Sequence, residues 1–309
     1  MLRLQRVSLG VLAVLLLGIG LACAQSTKQP AATNRTTTPS STARSVDNAA
    51  PLPGSGDNRV SQPAKPAAPE TAATPATAVA SEPPTTSTEP STLVRWYGHA
   101  FIYLVNSTGV RVAMDPFARN SVKYLFPGRL PADTVLISTE AEDHAAGELL
   151  FGTPQIFRSY TAVGVNKANG LIFKGVSVNR DSKIGPNAPK CTAFVFSLDG
   201  VNFAHLGVVG NILDARQRQE LGRVDVLFLP VGSPFLTVTD LNRIATDLQA
   251  KIIVPITYKT EQTPDMNLRS LDDYLKDQKL PVKRLTKSEF SVNAELLPAQ
   301  PTIYIPANP

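Results

Sequence analysis

The chain has 309 residues, 26 prolines and a formal net charge of +5 at pH 7. Arg3 and Arg6 account for two of those charges and residues 25–92 are balanced, which leaves roughly +3 elsewhere, too little to argue for a nucleic-acid partner. Of the two cysteines only Cys191 would survive removal of residues 1–24, so the mature chain is excluded from the class of disulfide-stapled scaffolds and must draw its stability from core burial.

Residues 1–24 open the chain with Arg3 and Arg6 ahead of an uncharged apolar run from Val7 to Ala24, closing on Ala22-Cys23-Ala24. A positive start, an apolar stretch and a small-x-small ending predict a secretory signal peptide. Cleavage before Cys23 with lipidation, or retention as a membrane anchor, are the competing readings. All three export the remainder to the periplasm or the exterior, and a membrane enters only through that anchor or lipid. Residues 25–92 are rich in Pro, Thr, Ala and Ser and contain no Phe, Trp, Tyr, Ile or Met. Such a segment cannot bury enough apolar surface to offset its ordering entropy, and it is expected to be a disordered linker.

The composition changes at Leu93, where Trp96, Tyr97, Phe101, Ile102 and Tyr103 follow in quick succession, and residues 93–309 are expected to form one domain. Val94–Val105 and Val110–Met114 read as strands joined by the turn-forming Asn106-Ser-Thr-Gly109. Asp115-Pro116 ends the second strand, since proline cannot donate to a ladder. Thr134–Ser138 reads as a short buried strand, with a helical start expected at 145–150. Strands follow at 170–179 and 192–206, the latter turning at Asp199-Gly200. Beyond them helices are expected at 214–221 and 239–248, Thr239 being the candidate N-cap, each followed by a strand at 224–231 and 251–256. Hairpins followed by alternating helices and strands predict an α+β architecture of sheets with helices on their outer faces.

No glycine-rich phosphate loop, Cys-x-x-Cys pair or G-x-S-x-G elbow occurs. The chain has three histidines, His99, His144 and His205. The central one closes Leu136-Ile-Ser-Thr-Glu-Ala-Glu-Asp-His144, an apolar strand end running into a polar loop, of which only Asp143 and His144 are metal-ligand-like at its end.

Trp96-Tyr-Gly-His-Ala100, Met114-Asp-Pro-Phe117, Thr139-Glu-Ala-Glu-Asp-His144, His205-Leu-Gly-Val208, Leu227-Phe-Leu-Pro-Val-Gly232 and Val254-Pro-Ile-Thr-Tyr258 occur in this order. Together they resemble segments of the metallo-β-lactamase-fold superfamily, in particular its small Zn-dependent hydrolases similar to the ascorbate-phosphate lactonases. The resemblance implies an αββα sandwich of two mixed β-sheets with helices outside. It also implies that Asp143 and His144 are residual metal ligands, while Thr139, Ala141, Val208 and Thr257 stand where the family carries its other ligands. A further family histidine falls near Arg180-Asp181. His99, Asp115, Asp181 and His205 are expected near the site.

A catalytic zinc takes about three protein ligands and an open position. Two residual ligands do not meet that demand, so the reading expects no bound cofactor, with zinc or another divalent ion as the alternative. Glu140, Glu142, Glu148 and Asp181 are the carboxylates that an oxygen-rich replacement site would use. Asp143 is expected to open a helix and to have a depressed pKa, whereas His99 and His205 are expected to be buried, neutral and bonded to main chain. Cys191 is expected to be a packing residue. The function expected is that of an exported non-catalytic relative binding a small molecule or an envelope protein. The alternative is an active hydrolase of an ester, lactone or phosphoester with a reduced metal site.

Overall fold

The computed structural model describes residues 89–309. The leader and nearly all of the linker predicted above lie outside these residues. Two mixed sheets make up the domain, and no helix among the described residues is long and apolar enough to cross a membrane.

The first sheet is built from β1 (Thr92–Trp96), β2 (Ile102–Val105), β3 (Arg111–Met114), β4 (Thr134–Leu136), β5 (Gln155–Phe157) and a late strand, β13 (Glu289–Val292). Its order is β13-β1-β2-β3-β4-β5, antiparallel from β13 to β3 and parallel from there. The second sheet contains β6 (Gly164–Ala168), β7 (Leu171–Asn179), β8 (Lys190–Leu198), β9 (Val201–His205), β10 (Val226–Pro230), β11 (Ile252–Ile256), β12 (Val282–Arg284) and β14 (Thr302–Ile305). Here the order is β12-β14-β11-β10-β9-β8-β7-β6. The β6-to-β9 half is antiparallel and the β9-to-β12 half parallel. Strands β10 and β11 are buried at every position, as expected of parallel strands covered on both faces.

The strand predicted over 94–105 is in fact two strands. Gly98 (φ 103°) and His99 (φ 50°) turn the chain between them, and a Cβ at Gly98 would fall 2.4 Å from the Tyr124 ring. Helix α1 (Ala215–Leu221) starts at Asp214, whose carboxylate accepts the Gln217 N–H while the Gln217 side chain accepts the Asp214 N–H. Helix α2 (Val238–Asp247) is capped by Thr237 rather than Thr239, because Asp240 completes a reciprocal box with Thr237. These helices pack against β7 and β10 respectively. A third, α3 (Leu271–Leu275), was not anticipated, nor were β5, β6 and the three C-terminal strands. The helix expected at 145–150 is a single 3-10 turn over Gly147–Leu149 with no side-chain cap.

The Asp199 turn joins the two sheets at one end. Its carboxylate accepts hydrogen bonds from Thr92 Oγ1 (2.8 Å), Ser107 N (2.8 Å) and Ser107 Oγ (2.7 Å). Burial would raise its pKa, but the Ser107 and Thr92 hydrogen bonds outweigh that and hold it below the ordinary value. A depressed folded pKa stabilises the fold above the unfolded value and ceases to do so as pH falls through the acid range. Asp199→Asn should therefore cost about 1–2 kcal/mol at neutral pH and progressively less below about pH 4, read from urea midpoints at several pH values. A cost that stays constant down to pH 3 would remove the carboxylate from this account.

Candidate functional site

The strand ends β1, β3, β4, β9 and β11 meet at one rim. Asp115 leaves β3 with φ 47°, and its fully buried carboxylate accepts hydrogen bonds from Ser138 N and Ser138 Oγ, both 2.6 Å. This draws the end of β4 against the end of β3 and fixes where the following loop begins.

That loop presents Asp143 and His144, with His144 N–H donating to Ala141 O at 2.9 Å to close a turn. Asp143 caps no helix. Its two oxygens face two imidazoles instead: Oδ2 is 3.1 Å from His99 Nε2 and Oδ1 is 2.9 Å from His144 Nδ1. The second contact is close but poorly aligned, so His144 Nδ1 lacks a well-directed hydrogen bond and interacts chiefly through charge. The rings of His99 and His144 meet edge to face, centroids 4.9 Å apart.

Burial alone would raise the Asp143 pKa, yet its contacts with His144 and His99 hold the carboxyl well below the usual range. Burial works against protonation of His144, but Asp143 and the nearby Asp115 prevail and raise its pKa. Burial dominates at His99 and lowers its pKa despite Asp143. The depressed Asp143 pKa was anticipated, but its source is a pair of imidazoles rather than a helix terminus.

His99 therefore departs from expectation in its side-chain partner. It is buried and disfavoured as a cation, but it bonds Asp143, a residue 44 positions away, rather than main chain. Its carbonyl is held as well, accepting from Trp96 Nε1 and from Thr257 N, both at 3.0 Å. His205 behaves as expected. Gly207 N–H donates to Nδ1 and Nε2 faces Ala100 O, each at 3.1 Å, which assigns the neutral Nε2–H tautomer. Burial lowers its pKa in agreement. Cys191 is buried and desolvation pushes its thiol up to about 12, so it is a packing residue and not a nucleophile.

A cavity of about 270 Å³ opens over this corner, lined by His99, Asp143, His144, Arg180, Val208 and Thr257 with Pro230 and the segments 233–235 and 266–268. Of the four positions standing for lost ligands, Val208 and Thr257 line it, whereas Thr139 and Ala141 do not. Asp181 is also outside the lining, its Oδ1 accepting the Lys183 N–H at 2.8 Å. Glu140 and Glu148 both pair with Arg158, which removes them from any oxygen-rich ion site. Glu142 is exposed.

A pair of metal ions does not fit, because Val208 offers no ligand where a bridging carboxylate would be needed and Thr257 only a hydroxyl. A single ion has a donor set: His99, Asp143 and His144 each present one ligand atom within 4.8 Å of the others, and theirs is the one such group of His, Cys, Asp and Glu among the described residues. Two imidazoles and a carboxylate form a composition used by catalytic zinc. Sequence reading missed His99 as a member because no spacing rule links it to Asp143; only the turn after β1 does. The wall at Pro230, 233–235 and 266–268 was missed for the same reason.

Residues 93–257 match the family model of the beta-lactamase superfamily domain, and the chain belongs to that family. Its fold is that of the metallo-β-lactamase superfamily: a structure described as a Zn-dependent hydrolase of that superfamily from Thermotoga maritima is 28% identical, with a TM-score of 0.56 over 69% of this chain and 97% of its own. A UPF0173 metal-dependent hydrolase of Bacillus velezensis is 26% identical over 215 residues, 58% of this chain and 92% of the relative. Another, from Listeria innocua, is 36% identical over 106 residues, 33% of this chain and 46% of the relative.

Replacing Asp115 by Ala would leave Ser138 N–H and the Ser138 hydroxyl unpaired in a fully buried setting. The expected cost is about 3 kcal/mol, measured by urea denaturation, because each orphaned buried group carries its own desolvation penalty. A cost under about 1 kcal/mol would show that the rim does not rely on this carboxylate.

Proposed function

We propose that this chain is a metal-free, non-catalytic relative of the metal-dependent hydrolases, using the cleft above His99, Asp143 and His144 to bind a small molecule. The observation that carries this reading is the state of Asp143. Its carboxylate is already shared between two imidazoles at 3.1 and 2.9 Å, so the cluster closes on itself through mutual charge satisfaction. Val208 and Thr257 extend an uncharged lining beside it. The leader read from the sequence extends the proposal to the cell envelope, where an envelope protein is the other candidate partner.

One observation favours a second reading, the three donors gathered within 4.8 Å. The relatives are named metal-dependent hydrolases, and on this reading the chain is one too, acting on an ester, lactone or phosphoester. His99, Asp143 and His144 would hold the ion, which when bound supplies Lewis acidity and a nucleophilic water. Asp143, with 24% of its side chain exposed, is the donor that solvent reaches.

Plasma mass spectrometry of the purified full chain separates them, after exposure to zinc and manganese and then desalting. The first reading expects essentially no retained ion, with Asp143→Ala costing on the order of 1–3 kcal/mol of stability and no activity. Close to one ion per chain, abolished by Asp143→Ala and by His144→Ala, would establish the second.

A further inference from the structure

The charges lining the cleft do not cancel. Among the described residues the Arg180 guanidinium makes no hydrogen bond or ion pair, although it lines the cavity. The titratable groups that share the lining are His99, Asp143 and His144. Asp143 is turned to the two imidazoles, and Arg180 is left as the cation without a partner. Its main chain is fixed: Arg180 N donates to Pro189 O at 2.8 Å, and Gly210 approaches so closely that a Cβ there would lie 2.4 Å from Arg180 O. A free guanidinium on a fixed backbone is ready to take an oxyanion through two parallel N–H donors.

The rest of the lining has a different chemistry. Val208, Pro230, Pro234, Phe235, Met266 and Leu268 give it an apolar wall, and the Phe235 side chain remains 49% exposed in a position to be covered. At the floor, His144 Nε2 and Thr257 Oγ1 have no hydrogen-bond partner. An apolar wall with a few convergent polar groups is the usual make-up of a small-molecule site, and about 270 Å³ sits near the lower end of the range for such cavities.

We infer that the cleft takes a small amphipathic anion, its carboxylate or phosphate head seated on Arg180 and its apolar body against Phe235, Met266 and Leu268. This rests on the metal-free reading above. A neutral molecule of the same body would gain the wall but not the guanidinium.

The test is calorimetric titration of the full chain, stripped with EDTA, against octanoate, octyl phosphate and octanamide. Binding of either anion about tenfold or more tighter than octanamide, with Arg180→Gln erasing the difference and Arg180→Lys keeping part of it, is the expected result. The stronger of the two anions then identifies the head group. Equal affinity for anion and amide, or an unchanged preference in Arg180→Gln, overturns the proposal. So does a lack of heat from both anions in a chain that also retains no zinc, and that result leaves the metal-free reading intact. Anion binding that appears only after zinc is added sinks both, because the ion and not Arg180 then carries the head group. Unchanged circular dichroism of both Arg180 variants shows that these outcomes are not unfolding.

Discussion

One carbonyl oxygen, that of His99, holds the rim together. It accepts from the Trp96 indole within its own sheet and from the Thr257 N–H at the end of β11 in the other, both at 3.0 Å. The turn that exposes it needs positive φ at Gly98 and His99, and Thr257 itself sits at φ 52°. Non-glycine residues in that region are strained by about 1–3 kcal/mol each unless surrounding contacts over-determine them. Here they do: the same turn that spends this strain aims the His99 ring at Asp143, so the latch between sheets and the arrangement of the cluster are one structural fact.

From that latch the electrostatics follow. Two buried imidazoles and a half-buried carboxylate are tolerated because they answer one another. Asp143 is the hinge of that arrangement, drawing His144 toward its cation while burial keeps His99 from becoming one. His205 and Asp115 lie beside them, 3.6 Å apart, each satisfied by main chain or by Ser138. The site therefore combines a polar floor, in which His144 Nε2 and Thr257 Oγ1 have no hydrogen-bond partner, with an apolar wall and an unpaired guanidinium at its edge.

Much of the fold was legible in order along the chain. Turn chemistry at Asp199-Gly200, the start of a helix near Asp214, and the continuous apolar runs of β10 and β11 all have local causes, and local causes can be read from local sequence. What escaped had non-local causes. β12 is exposed along its length and exists because β14 pairs with it. The Gly98 turn broke a strand that alternation alone would have carried through, and Tyr124 occupies the space that a side chain at 98 would need. At the site, Asp143 and His144 could be found in one short loop, but the third member arrives from 44 residues earlier, and the pair forms only once the ends of β1 and β4 are brought together in the first sheet.

The cleft also divides its lining by how freely each part can change. At the strand ends around it the packing is close: a Cβ on Gly232 would fall 2.0 Å from Thr257 O, and one on Gly207 would fall 2.5 Å from the Ser138 side chain. Neither glycine can take a side chain unless its neighbours move. Phe235, Met266 and Leu268 stand on loops instead, and Phe235 among them is exposed. A chain built this way can alter what it recognises while its floor stays constant, so differences in selectivity among proteins sharing this rim should be written in those two loops.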